Sequence, residues 1–244
     1  MIPQVRAELL KIRSTRTTIG LLLGMIALIL LFTILTGLLA TAASLSTKED
    51  QRQFLSLGSL AGVFSALAGV LLVTSEYRFG TIRPTILFTP KRSRVLASKV
   101  LAGLLAGLAF GVVGEAVGWA FGYAILDARG ISFALGGGDT ALLALGGLAG
   151  VALWGATGVG LGAMIRNQVG AVITLLAWGF VVDNLLFGLV PSVGRFTPTR
   201  ANDGLEGLTT AHLLSPAAAG LVLLAWAVLL ASAGIALTAR RDVN

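Results

Sequence analysis

The sequence predicts an all-α membrane protein with six transmembrane helices and both termini cytoplasmic. Three observations carry this. Of 244 residues, 56% are hydrophobic and 12% charged, with a mean hydropathy of +0.91, whereas a soluble domain carries about 25% charged residues. Apolar runs of about twenty residues, the length that crosses a bilayer as a helix, recur along the chain. The alternating ten-residue segments of a membrane β-barrel are absent. No polar stretch is long enough for a soluble domain, so residues 1–244 read as one membrane domain. Cys is absent, which excludes disulfides. The net charge of +7 is unevenly spread and points to an anionic membrane face and a cytoplasmic partner, not to nucleic acid.

In chain order, residues 1–17 place Val5, Leu9 and Ile12 on one helical face and Arg6, Lys11, Arg13 and Arg16 on the other, the pattern of an amphipathic interfacial helix. Span 1 covers Thr18 to Ala43. Its apolar run exceeds the roughly 7–15 residues of a signal-peptide core, so it reads as a retained span. Ser44 to Gln53 is a polar loop, and span 2 covers Phe54 to Thr74. The polar stretch Glu76 to Thr85 follows, then the basic cluster Lys91, Arg92, Arg94 and Lys99. Pro84 disfavours helix at Arg83, so a short helix is expected to end there and to lie across the cytoplasmic face.

Span 3 covers Ala97 to Leu126, long enough to be tilted. Gly103, Gly107, Gly111, Gly114, Gly118 and Gly122 fall within roughly a 100° arc of it. These small-xxx-small rows form a packing face, within the subunit or against a second copy. An outside loop, Asp127 to Asp139, leads to span 4 at Thr140 to Ile165. Arg166-Asn167-Gln168 is a tight turn before span 5, Val169 to Val190. Pro191 to Pro216 is too polar to span and predicts short helices at the outer interface. Span 6 covers Ala217 to Ala239.

Six spans put both ends on one side, and the positive-inside rule names that side. Arg6 to Arg16, Arg78 to Lys99, Arg166 and Arg240-Arg241 fall on it, while Lys48, Arg52, Arg129, Arg195 and Arg200 fall opposite.

No Gly-x-x-x-x-Gly-Lys-Ser/Thr occurs, so this chain binds no ATP through a P-loop. One His and no Cys speak against a His/Cys metal centre, and there is no His-Glu-x-x-His. The residues contain no recognisable enzyme site or cofactor. Glu115 and Asp183 are acids inside spans, where they are costly and often functional. Each lies about 15 residues from the cytoplasmic end of its span, or roughly 20 Å, so the two are expected at one level. They read as a patch in a translocation path, a proton or ion site, or polar contacts between helices.

The segment Glu76-Tyr77-Arg78-Phe79-Gly80-Thr81-Ile82-Arg83-Pro84, followed by Thr89-Pro90-Lys91-Arg92 and Val95 to Lys99, resembles the membrane subunits of type-2 ATP-binding-cassette (ABC-2) exporters. Permeases of that family carry Glu-x-x-x-Gly-Thr-x-Arg, then Pro-x-Arg and Lys, between spans 2 and 3. Arg13-Ser14-Thr15-Arg16, Gly158 to Gln168 and Arg240-Arg241-Asp242-Val243 are similar to further parts of the family. Many relatives have Glu where this chain has Asp183.

The resemblance implies a permease subunit of the bacterial plasma membrane. It would pair with a second copy or a related permease and with two cytoplasmic ATPase subunits, which hold ATP and Mg. Glu76, Tyr77, Arg78, Gly80, Thr81, Arg83 and Pro84 would form the coupling helix, with Glu76 and Arg78 free for charge-assisted contacts. Lys91, Arg92 and Arg94 would meet anionic lipid. The substrate would be hydrophobic or amphipathic: a drug, peptide, lipid or lipid-linked glycan. The alternative is an ion-coupled secondary transporter or channel using Glu115 and Asp183.

Overall fold

The computed structural model describes residues 1–82 and 92–240, the side chains of 92, 239 and 240 excepted. The described residues are helical, with no strand among them. Among the described residues six helices are long and apolar enough to cross a membrane.

Helix α1 (Ile2–Ser14) ends at Thr15, whose extended backbone lets the chain turn into α2 (Arg16–Leu39). Met25, Ile29, Thr33 and Gly37, spaced by four, are the buried stripe of α2; Leu23, Leu31 and Leu35 lie on its exposed, apolar remainder. Residues expected as a polar loop contain α3 (Lys48–Leu55), capped by Thr47, whose side chain accepts the Asp50 N–H. A 3₁₀ stretch at Ser56–Leu60 feeds α4 (Ala61–Arg78). Helix α5 (Arg92–Ala128) has 37 residues, about 55 Å at 1.5 Å per residue, longer than a hydrocarbon core of about 30 Å.

Helix α6 (Gly137–Ile165) ends where Arg166 takes a left-handed φ of 59°. That turn reverses the chain into α7 (Gln168–Leu189), whose N-cap Asn167 accepts the Gly170 N–H at 2.8 Å. A π-turn at Trp178–Val182 interrupts α7 just before Asp183. The short α8 (Pro198–Leu205) starts on Pro198, which has no N–H to leave unpaired there. Helix α9 (Pro216–Arg240) closes the bundle.

Helix α6 sits at the centre, against α4, α5 and α9. Small residues make this possible. A Cβ on Gly103 would come within 2.9 Å of the Gly155 carbonyl oxygen, and one on Gly160 within 2.5 Å of the Leu230 carbonyl carbon. Gly107 faces Ser65 and Ala152, Gly111 faces Val151, Gly114 and Gly118 face Gly58, and Gly122 faces Leu55. The glycine face of α5 packs against α6, the start of α4 and the residues just before it.

The segment after α7 contains short helices, as its sequence predicts. Helix α8 is built into the bundle against α9 and α6, with Ala201, Asn202, Gly204 and Glu206 buried.

Candidate functional site

One end of the bundle collects the C-terminus of α4, the starts of α5 and α7, and α1. Arg78 donates to Gln168 Oε1 at 3.3 Å, and Arg166 lies over the Tyr77 ring at 5.0 Å, so the α4 terminus is tied to the α6–α7 turn. Helix α4 ends at Arg78, four residues past the expected end of span 2 at Thr74, and the expected stop of the short helix near Arg83 lies outside the described residues. The Phe79 N–H closes the last turn on the Ser75 carbonyl. Gly80 follows with φ of +70°, a left-handed position where glycine carries no Cβ penalty. Beyond the cap, Phe79 is 70% exposed and Gly80 and Thr81 are exposed, and among the described residues nothing lies within 4 Å of a Cβ on Gly80. Ile82 turns inward, into a hollow with Val73, Tyr77, Leu96 and Lys99. Arg83, Pro84 and Lys91 lie outside the described residues, as does the Arg92 side chain; Arg94 is exposed.

Glu76 is not a free surface carboxylate. It is buried, and its Oε1 accepts from Lys11 Nζ at 2.7 Å and Lys99 Nζ at 2.8 Å. Lys99, grouped by sequence with Lys91, Arg92 and Arg94, points into the bundle. It is 1% exposed and donates to Glu76, to Glu8 Oε2 at 2.8 Å and to the Leu72 carbonyl at 3.2 Å. Three acceptors match the three donors of an ammonium. Lys11 also donates to Glu8 at 3.0 Å. Burial works against the charge of Lys11, but Glu76 and Glu8 outweigh it and hold its pKa above the ordinary lysine value.

Two acids and two bases thus join α1, α4 and α5 directly beneath the exposed turn. Val5, Leu9 and Ile12, the apolar face read from the sequence, pack beside them on Leu72, Val73 and Tyr77. Helix α1 is thereby docked on the bundle rather than merely laid on an interface. Between the α1–α2 hinge and α4 lies a cleft of about 240 Å³, lined by Thr15, Thr18, Leu71, Ser75 and Phe79 among others.

The opposite end is held differently. Buried Arg52 donates to Asp139 Oδ1 and to the Gly207 carbonyl, both at 2.5 Å. Gln51 donates to the carbonyls of Leu45 at 3.0 Å and Ser132 at 2.8 Å, and accepts the Ala134 N–H. Helix α3 therefore organises the loops on this side. Glu115 and Asp183 do not meet here. Asp183 accepts the Thr199 N–H at 3.0 Å, at the start of α8. Glu115 instead has Glu206, just past the end of α8, as its charged neighbour. Their partners thus lie at opposite ends of α8, whose eight residues are about 12 Å long at 1.5 Å per residue. Burial raises the Glu206 pKa well above the ordinary value, and Glu115 and Asp203 add to it. Burial also raises Asp203, against the pull of Arg200.

Reasoning from the sequence missed Glu8, Lys99, Asn202 and Glu206 as members of these clusters. Glu8 carried a signal, since it is the lone acid of a basic segment and lies beside the apolar positions of its helix. Lys99 carried a weaker one, at the head of a long apolar run. No family model matches the chain, and a search of curated proteins finds no match.

Proposed function

We propose that the chain is the transmembrane permease subunit of an ABC-2-type exporter, driven by a separate cytoplasmic ATPase that docks on the turn following α4. The observation that carries this reading is the contrast at that turn. Phe79, Gly80 and Thr81 are exposed, while Glu76, three residues before Phe79, is locked into a buried ion cluster spanning three helices. A push on the exposed turn is transmitted as rigid-body motion because its base cannot yield locally. The resemblance of residues 76–84 to the coupling segment of ABC-2 permeases supports the same reading.

In this reading Arg78, Phe79 and Thr81 contact the ATPase, and Glu76 holds the platform. Both termini face the cytoplasm with the docking turn, and a second copy or related permease completes the transporter. The substrate is hydrophobic or amphipathic and moves along the apolar helix faces.

The test is purification of the tagged chain from its native membrane in mild detergent. The expected result is a co-purifying P-loop ATPase with vanadate-sensitive hydrolysis. Phe79→Asp is expected to abolish co-purification while the protein still inserts and keeps its melting temperature. A chain that purifies alone, and moves its cargo without ATP hydrolysis, would overturn the proposal.

A further inference from the structure

We propose that Glu115 and Glu206 form a proton-binding site that retains at least one proton at neutral pH, reached from the cleft bounded by Ser59, Asn202 and Asp203. The inference needs no partner protein and stands apart from the ATPase-driven reading.

Glu206 is 1% and Glu115 6% exposed. Glu115 Oε2 accepts from Trp119 Nε1 at 3.0 Å, and its Oε1 has no partner. Glu206 Oε1 accepts from Asn202 Nδ2 at 2.6 Å, which leaves the buried Asn202 Oδ1 without a partner. The two lone oxygens lie on one face of α6, a turn apart. Glu115 Oε1 sits against Gly147 and Asn202 Oδ1 against Gly150, where any Cβ would overlap them. Two glycines thus make room for two polar groups from different elements.

Among the described residues no Lys or Arg pairs with either glutamate. The charges on every packed element are otherwise engaged or distant. Arg200 binds Asp203 at 2.8 Å and Asn184 at 2.6 Å. Arg52 and Lys48 bind Asp139, the one charged residue of α6. Asp183 is held by Thr199. Helix α9 has no charged residue before Arg240, which lies at its far end. The charges of α4 are Glu76 and Arg78, at the opposite end of that helix, and Lys99 on α5 is sixteen residues from Glu115, about 24 Å along the helix.

Two like charges buried without a counter-ion are doubly disfavoured, by lost hydration and by mutual repulsion. One proton removes the repulsion and one of the two buried charges. It also supplies an O–H donor to a cluster whose remaining lone atoms are acceptors. A metal ion is the poorer occupant, since no group of three His, Cys, Asp or Glu among the described residues is placed to hold one. The cleft beside α8 has about 160 Å³ and includes Ser59, Asn202 and Asp203, so water and protons reach the pair through Asn202.

The experiment is infrared spectroscopy of the protein in lipid nanodiscs, with thermal melts across pH. The expected spectrum has the C=O stretch of a neutral carboxylic acid persisting at about pH 7.5, far above the ordinary Glu range, and the band is lost in the Glu115→Gln/Glu206→Gln double variant. The proton is held by the folded chain and released by the unfolded one, so the wild-type Tm falls as pH rises above the ordinary carboxyl range. The single Gln variants, which keep the shape and remove the charge, flatten that fall. A carboxylate-only wild-type spectrum at this pH would overturn the proposal, and so would a Tm that does not fall with pH. A Tm that rises when sodium replaces choline at fixed pH would assign the site to a metal cation instead, and would overturn it too. The wild-type band and melts decide the matter even if a Gln variant fails to fold.

Discussion

At the end of the bundle where α1 docks, every buried acid has a cation within 3.0 Å. Glu8 has Lys11 and Lys99, and Glu76 has the same two lysines. At the other end Glu115 and Glu206 are buried as deeply, with a tryptophan and an asparagine for partners. The first arrangement pairs two acids with two bases, and the three donors of its buried ammonium, Lys99, are all used. The second sheds its charge only by taking up positive charge from outside the chain. Burial alone therefore says little about whether a charge is structural or functional. What separates the two ends is whether the counter-charge comes from the chain.

The comparison is broken most sharply at Lys99. Lys99→Met leaves Glu8 and Glu76 buried with only half-exposed Lys11 to pair them. Removing one partner of a buried pair costs about 3–5 kcal/mol, so a large loss of thermal stability and of monodisperse protein in size-exclusion chromatography is expected. Glu206→Gln, by contrast, is expected to leave Tm unchanged or raised at neutral pH. Equal destabilisation by both variants would erase the distinction between the ends.

Next in size is the glycine face. Gly155→Val drives a side chain into the Gly103 backbone and Ser65 Oγ. Overpacking of this kind costs about 1–3 kcal/mol, and detergent melts measure it. Gly179→Ala, with nothing within 4 Å of the added Cβ, is the control and is expected to melt like the wild type.

Much of this was legible in the sequence, because the legible parts are periodic. Helix-length apolar runs mark the spans, four-residue spacing marks the glycine face, and Val5, Leu9 and Ile12 mark the docked face of α1. The charge pairings were not legible. Glu8 and Lys99 are 91 residues apart, and no local pattern encodes their contact. Equal depth suggested that Glu115 and Asp183 belong together, but depth in a span leaves open which helix faces which. The polar content of residues 191–216 marked the segment as unable to span, but did not show that Asn202 and Glu206 are buried. Lys99 was read with Lys91 and Arg94 by proximity in sequence, and the rotation of α5 turns it inward instead.

The smallest expected effect is at Lys11, and it sharpens the comparison within one cluster. Lys11 and Lys99 share the same two carboxylates, but the Lys11 side chain is 45% exposed and that of Lys99 1%. Solvent screens the outer lysine, so Lys11→Met is expected to cost no more than about 1 kcal/mol. Its pH signature has a fixed sign. The folded pKa of Lys11 lies above the ordinary value of 10.5, so its contribution is fully present below that value. It is lost only as pH rises through the higher folded value. Wild type and Lys11→Met are therefore expected to differ by a constant small amount across neutral pH, and to converge in strong alkali. Convergence already near neutral pH would mean that Lys11 is not held charged by Glu8 and Glu76. The pairing at the α1 end would then rest on Lys99 alone.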